Sequence, residues 1–271
     1  MSVMITSLRI LFSLFPFLAV SLAFGDGVSP WPNPPAIEVP LALVKPSLAA
    51  DPADPAWKRA AVLPAFTRSA QDPEFAGPLP IPRTVVRLLW SPEALYVRFE
   101  AEDKDIQTPF TARDAAHYQG DVAEVFLDPA GAQRVWYEFA VTPRNGIADI
   151  LHLCTAAVPH SGPDGVLDPN ILAHETWDFP EWTCRDLKTA ARLVPGGWIA
   201  EMAIPPQVLR STPYAAFAPG PLRANFLRYD VTGMGDSQQR TLLCWSQVVF
   251  GRPHRSPARM GTLQLVGAKG Q

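Results

Sequence analysis

Proline most restricts how this chain can fold, because 30 of its 271 residues are proline and they are spread along its length. Proline has no backbone N–H and breaks helix interiors, and in sheets it is confined to edges, strand ends and bulges. The same chain is 48% hydrophobic and 18% charged, which supplies enough apolar surface for a folded core. The sequence therefore predicts a globular protein of short strands connected by stiff loops.

Residues 95–100 and 136–141 show the clearest alternation of apolar with polar side chains, the period-two pattern of a half-buried strand. Further strands are predicted at residues 37–39, 84–90, 122–127, 187–193, 198–204, 222–229, 242–245 and 263–266. Residues 152–182 show no convincing period, so we predict a long irregular stretch there. These features predict an all-β fold, a two-sheet antiparallel β-sandwich with long irregular loops.

The N-terminus has the pattern of a secretory signal peptide. Arg9 precedes an apolar run at residues 10–20, and small residues follow at Ser21 and Ala23. We predict a signal peptide at residues 1–23, a proline-rich lead-in at 24–36 and one domain at 37–271. This order predicts a secreted or periplasmic protein with no membrane span in the mature chain. The alternative is an anchor that stays attached, although the apolar run is shorter than the roughly 20 residues of a spanning helix.

Charge and cysteine content exclude some classes of function. The net charge is -3 and the pI is about 6.0, without a basic run, so no nucleic-acid partner is expected. Cys154, Cys184 and Cys244 fit no zinc-binding spacing. We expect them to be buried as small apolar residues, with Cys154–Cys184 as a possible disulfide. The sequence does not indicate an oligomeric state.

Strand alternation suggests where polar side chains would meet a ligand. If Ala123, Val125 and Leu127 face the core, the side chain of Glu124 points to the opposite face of its strand. On residues 136–141 the same reasoning turns Trp136 and Glu138 outward. A ring and two carboxylates on the outer faces of two strands would suit a sugar, which offers apolar C–H faces and a rim of hydroxyls.

Several segments in fixed order resemble carbohydrate-binding module family 9 over residues 40–266. They are 54–57 (DPAW), 86–90 (VRLLW), 120–129 (GDVAEVFLDP), 137–139 (YEF), 197–205 (GWIAEMAIP), 223–226 (RANF) and 245–246 (WS). The resemblance implies a non-catalytic module that binds the end of an oligosaccharide or polysaccharide, in the setting of carbohydrate catabolism.

The resemblance also implies roles for individual residues. In the family two aromatic side chains clamp the terminal sugar and a glutamate binds its hydroxyls. Tyr118, three residues before the aspartate of the Asp-x-x-Glu strand, corresponds to the first aromatic, and Glu124 to the glutamate. His254 stands where the second aromatic is expected and would stack less well. Asn225 and Arg228 on a later strand are further candidates, Arg228 as a bidentate donor to hydroxyls or an acidic sugar.

Three alternatives remain open from the sequence. Glu124 and Glu138 could act as the carboxylate pair of a glycosidase. A haem-binding or redox-partner sandwich of DOMON-like type could use Met202, Met234, His152, His160 or His174 as axial ligands, without covalent attachment because no C-x-x-C-H occurs. A scaffold with a degenerate groove is the third. No cofactor is certain, and calcium is possible through Asp121 and Asp128.

Overall fold

Strands in two sheets dominate the computed structural model, which describes residues 32–69, 80–161, 167–209, 216–248 and 252–267. The strands are β1 (Ala36–Pro40), β2 (Ala61–Val62), β3 (Thr67–Arg68), β4 (Thr84–Ser91), β5 (Ala94–Glu102), β6 (Val122–Asp128), β7 (Val135–Val141), β8 (Ile147–Ser161), β9 (Leu167–Phe179), β10 (Lys188–Val194), β11 (Gly197–Ile204), β12 (Gly220–Thr232), β13 (Gln239–Cys244) and β14 (Gly261–Val266). Helical structure in these ranges consists of short 3-10 turns.

The larger sheet has nine strands and the smaller has five. The order of the larger sheet is β1-β14-β12-β6-β7-β8-β9, with β13 paired to the second half of β12 and β3 paired to β13. The order of the smaller sheet is β10-β11-β5-β4-β2. Strand pairs are antiparallel except β1 with β14. The prediction of an all-β, two-sheet sandwich is therefore confirmed.

The main core lies between the two sheets. Phe99 and Trp198 come from the smaller sheet, and Tyr137, Phe139 and Phe226 from the larger, all essentially inaccessible to solvent. The ring centroids of Phe99 and Phe226 are 6.4 Å apart across the sheets. Because side chains alternate between the faces of a strand, every second residue of each central strand contributes to this core.

A second apolar cluster covers the outer face of the larger sheet. It contains Val122, Phe126, Trp136, Leu227 and Tyr229, all buried. Loops rather than another sheet cover this face, since the segment after β13 packs on it through the buried residues Pro253 and Met260. Strands β6, β7 and β12 therefore bury both faces, which explains why residues 122–127 alternate weakly in the sequence.

The prediction of an irregular stretch at residues 152–182 is wrong, because β8 and β9 cross most of it as a long hairpin. The register of this pair shifts between Cys154 and Ala156 and again between Pro159 and His160. Each shift changes which residues share a face, so the alternation is broken although the chain remains extended.

The remaining predictions about the chain have mixed outcomes. All three cysteines have free thiols, so the possible Cys154–Cys184 pair is not formed. Cys184 and Cys244 are buried as expected, whereas Cys154 is only partly buried, contrary to the expectation. Residues 1–23, and the lead-in up to residue 31, lie outside the described residues. Among the helices that the structure describes, none has the length and apolar character needed to span a bilayer.

Candidate functional site

A cavity of about 420 Å³ opens on the outer face of the larger sheet, and we call it the outer pocket. Its polar lining is Glu124, Glu138, His152, Asp178, Arg252 and His254. Its apolar and aromatic lining is Tyr118, Phe126, Ile150, Pro180, Tyr229 and Pro253. The volume lies in the range of about 300–1,000 Å³ that is usual for small-molecule sites.

Strand register brings the two glutamates of the outer pocket together. Glu138 on β7 pairs with Phe126 on β6, and Glu124 lies two residues earlier on β6, opposite Ala140. The glutamates are therefore diagonal neighbours on the same face of adjacent strands, a relation that puts Cα atoms roughly 7–8 Å apart. The sequence-based prediction that both carboxylates face outward agrees with this placement.

His152 forms the floor of the pocket and links three strands. Its Nδ1 is 2.8 Å from Oδ1 of Asp178 on β9, and its Nε2 is 3.1 Å from Oε2 of Glu138 on β7. Burial lowers the pKa of His152, but the hydrogen bonds and charges of Asp178 and Glu138 outweigh it and raise the pKa to about 9. The ring is then doubly protonated at neutral pH, and each nitrogen donates to one carboxylate.

A stack of rings runs from the sheet to the mouth of the pocket. Trp136 lies at the bottom, with its ring 5.9 Å from that of His152 at an interplanar angle of 24°. The ring of His254 also stacks on that of His152, with the ring centroids 5.5 Å apart and an interplanar angle of 9°. Burial and the positive charge of His152 lower the pKa of His254, so it is neutral at neutral pH. His254 thus lines the pocket as a flat, uncharged ring.

Glu124 is the unusual group of the pocket. Only 3% of the residue is exposed, and none of the described residues forms a hydrogen bond or ion pair with its carboxyl group. Burial, and secondly the charge of Glu138, raise its pKa well above the usual value. A buried polar group without a partner is costly, and such a group in a cavity often marks a place where a ligand supplies the partner.

Tyr118 lies at the rim, 47% exposed, on the 3-10 turn His117–Gln119. The next residues fix this turn. A Cβ atom on Gly120 would lie 2.6 Å from the backbone oxygen of Gln107, so this close approach requires glycine. Asp121 accepts hydrogen bonds from the backbone N–H groups of Gln107 and Val231, which ties the turn to the loop after β5 and to β12. The sheet therefore holds the exposed ring beside the pocket.

Arg228 is not at the pocket, which corrects the expectation from the sequence. Its side chain is fully buried between the sheets, where it donates to carboxylate oxygens of Asp103, at 3.1 Å, and Asp230. Its guanidinium lies 5.6 Å over the ring of Trp198 in the smaller sheet. Phe226 and Arg228 share the inward face of β12, so a sugar on the outer face cannot reach this guanidinium.

Asn225 and Trp136 have structural positions beside the pocket. The Asn225 amide donates to the backbone oxygen of Ser246 and accepts from the backbone N–H groups of Ser246 and Phe226. These bonds use its hydrogen-bonding capacity, and it does not line the cavity. Trp136 faces outward as the alternation predicts, but it is fully buried beneath His152 and in edge contact with His174. Of the seven predicted residues, the structure brings Tyr118, Glu124, Glu138 and His254 together.

His152 and Asp178 are pocket residues that the sequence reasoning missed as members of a sugar site. Both fall in the stretch interpreted as irregular. Thr176 and Asp178 alternate with the apolar residues Trp177 and Phe179 at the end of β9, and this short alternation is the signal that could have placed Asp178 on the outer face.

An acidic cluster lies elsewhere, at the start of β6. Carboxylate oxygens of Asp103, Asp121 and Asp230 lie within 4.8 Å of one another, all buried. Burial, and secondly the charge of Asp103, raise the pKa of Asp121 to about 8. Arg228 already supplies a positive charge to two of the three residues. Asp121 and Asp128 flank opposite ends of β6, so the calcium site suggested from the sequence cannot be a single ion bound by both.

The candidate haem ligands do not converge. Met202 is buried in the core between the sheets, whereas His152 and His174 lie on the outer face of the larger sheet. The larger sheet itself separates Met202 from the two histidines. Met234 is 77% exposed on a loop, and the side chain of His160 is outside the described part of the chain.

No protein-family model matches this sequence, and no curated protein matches it significantly. Solved structures do match its fold. A protein of Bacteroides uniformis assigned a carbohydrate-binding role superposes with a TM-score of 0.61 at 12% identity, covering 86% of this chain and 99% of that chain.

Two structures of a carbohydrate-binding module of family 9 from Caldicellulosiruptor kristjanssonii match as well. The complex with cellotriose has a TM-score of 0.56 at 16% identity, covering 86% of this chain and 95% of that chain. The complex with glucose has a TM-score of 0.56 at 14% identity, covering 87% and 98%. The chain therefore has a fold like that of carbohydrate-binding modules of family 9, as the resemblance in the sequence implied.

Proposed function

We propose that this protein is a non-catalytic carbohydrate-binding module that takes the end of an oligosaccharide or polysaccharide into the outer pocket. One observation carries the proposal. An exposed ring, Tyr118, lies at the rim of a cavity lined by the carboxyl groups of Glu124 and Glu138 and by the charged ring of His152. A sugar needs both features, because its C–H face packs on a ring while its hydroxyls bond most strongly to charged partners.

The shape of the cavity supports binding at a chain end. Tyr118 and His254 line the same cavity, and the floor is the closed surface of the sheet at Phe126 and His152. A closed floor suits a terminal sugar better than a residue within a chain. The similar fold of the module that binds cellotriose and glucose also supports the proposal.

We further propose that the protein acts outside the cytoplasm, in carbohydrate catabolism. The support for export is the pattern of residues 1–23, a positive residue, an apolar run and small residues before the predicted cleavage position. Detection of the mature protein, starting near residue 24, in the periplasm or the medium would test this location.

Isothermal titration against cello-, xylo- and uronic oligosaccharides tests the binding function. We expect saturable binding by the wild type and weaker binding by Tyr118→Ala. Trp177→Ala is the matched control, because Trp177 is 65% exposed on β9 but does not line the outer pocket. Loss of affinity in the control and not in Tyr118→Ala would contradict the assignment of the pocket, and no binding to any glycan would favour a scaffold.

The glycosidase alternative is tested with the same reagents. Glu124 and Glu138 are neighbouring carboxyl groups, as hydrolysis requires. However, Glu138 is held by its hydrogen bond with the positively charged ring of His152. We therefore expect no new reducing ends when the protein is incubated with the oligosaccharides. Their release by the wild type and not by Glu124→Gln would contradict a non-catalytic role.

A further inference from the structure

The charged groups of the outer pocket are unequally paired. His152 contacts both Glu138 and Asp178, so one positive ring is shared by two carboxylates. Arg252 is exposed, and it forms no salt bridge with another described residue. Glu124 has neither a hydrogen bond nor a salt bridge among the described residues. The pocket therefore contains more acidic groups than cationic groups able to reach them.

The position of Glu124 makes this imbalance costly in the empty protein. The residue is 3% exposed and neighbours Glu138 on the same face of the sheet. Burial, and then the charge of Glu138, favour its neutral form and raise its pKa. A carboxyl group in such a place destabilises the fold unless something else compensates. Among the described residues nothing does, and Glu124 lines the cavity, so a ligand that enters the cavity can supply the compensation.

A hydroxyl and an amine would compensate Glu124 to different extents. A neutral hydroxyl can hydrogen-bond to its carboxyl group but adds no charge. An ammonium group donates up to three hydrogen bonds and also balances the negative charge that Glu124 and Glu138 build up together. The aromatic lining at Tyr118, Phe126 and Tyr229 would add to this, because ring faces attract cations.

We infer that the outer pocket is selective for sugars that carry a free, positively charged amino group, with Glu124 as the residue that binds the amine. This inference rests on the proposed function, since it names the class of sugar for the same pocket. Glu138 and Asp178, held by His152, then remain available for hydroxyls. Arg252 stays at the rim and does not contact the amine.

Matched sugars test the inference. For the gluco, galacto and manno configurations, the affinity of the full mature protein is measured by calorimetry at pH 6 for the parent hexose, the 2-amino sugar and its N-acetyl derivative. The 2-amino sugar and its N-acetyl derivative carry their nitrogen at the same position, but only the amino sugar is positively charged. We expect the amino sugar to bind at least about tenfold more tightly than both others in one or more configurations, the ratio expected for one charge-assisted hydrogen bond.

Proton release is a second readout that needs no variant. The raised pKa of Glu124 favours its protonated form in the empty pocket, so an amine should shift it towards the ionised form and release protons, whereas a neutral hexose should release fewer. Titrations in two buffers with different ionisation enthalpies measure this as a difference in the observed heat. Equal proton release for amino sugar and hexose would overturn the role of Glu124.

Glu124→Gln keeps the size of the side chain and removes the acid, so the preference for the amine should fall to within about twofold. Glu102→Gln is the control, because this carboxylate is exposed at the end of β5 in the other sheet and the preference should persist. Preference that persists in Glu124→Gln, or equal affinity for all three forms of each sugar, would overturn the inference while sugar binding itself stands. If no monosaccharide and no oligosaccharide binds, both the proposed function and the inference are refuted.

Discussion

The charged bridge at His152 predicts a specific dependence of stability on pH. The pKa of His152 is about 9 in the folded protein, against the usual 6.5. Below pH 6.5 the ring is protonated in both the folded and the unfolded state, and the stabilisation by Asp178 and Glu138 is fully present. Between pH 6.5 and 9 the unfolded chain loses this proton while the folded protein keeps it. The free energy of unfolding should therefore fall as the pH rises through this window.

The size of the effect follows from the same two values. A difference between about 9 and 6.5, at about 1.4 kcal/mol per pH unit, corresponds to about 3 kcal/mol. The ring is 2% exposed, so solvent screens the interaction little. The pKa of Asp178 is lowered to about 2 by its bond with His152, so the pair remains charged on the acid side of the window.

Urea denaturation at pH values from 6 to 10 measures this prediction. His152→Gln should lack the component of about 3 kcal/mol, so the difference in unfolding free energy between wild type and variant should shrink as the pH rises to 9. Other groups also titrate, and His117→Gln is the control for them above about pH 7.5, where His117, buried with a lowered pKa, is neutral in both the folded and the unfolded state and its removal should leave the slope unchanged. Identical pH dependence in wild type and His152→Gln would refute the charged bridge.

Three further changes give distinct results. Tyr118→Ala should weaken sugar binding by roughly 1–3 kcal/mol in calorimetry, with little change in melting temperature because the ring is 47% exposed; an unchanged affinity would show that the ring does not stack. Arg228→Met should lower stability in urea by roughly 3–5 kcal/mol because Asp103 and Asp230 lose their buried counter-charge, and a neutral result would refute that dependence. Gly197→Ala should lower the melting temperature far more than Gly267→Ala, since a Cβ on Gly197 would lie 1.9 Å from the Ala101 oxygen and one on Gly267 meets nothing within 4 Å; equal losses would contradict the close approach.

Alternation along single strands predicted the architecture and part of the site. It placed Glu124 and Glu138 on the outward faces of β6 and β7, because Ala123, Val125 and Leu127 form a consistent inner row. The alternation did not predict which way the side chains of β12 point, because both faces of this strand are apolar. Phe226 packs between the sheets and Leu227 packs under the loops of the outer face, so the direction of Arg228 cannot be read from its neighbours.

The pocket itself depends on contacts that no local pattern contains. His152 and Asp178 face the pocket only because β8 pairs with β7, and β9 with β8, in one register, which a bulge near Cys154 alters along the hairpin. That no described residue hydrogen-bonds to the carboxyl group of Glu124 is also a property of the assembled sheet. The sequence resemblance could indicate Tyr118 and His254, since both lie in turns whose flanking residues match the family pattern.

The parallel pairing of β1 with β14 joins positions that are 226 apart in the sequence, Ala36 with Thr262. One edge of the large sheet can therefore close only after the ribosome has delivered the last strand. Folds that depend on such distant contacts form slowly, because the intervening chain must lose its freedom before the contact is made. The pairing of β1 with β14 should therefore be among the last contacts to form when the chain folds.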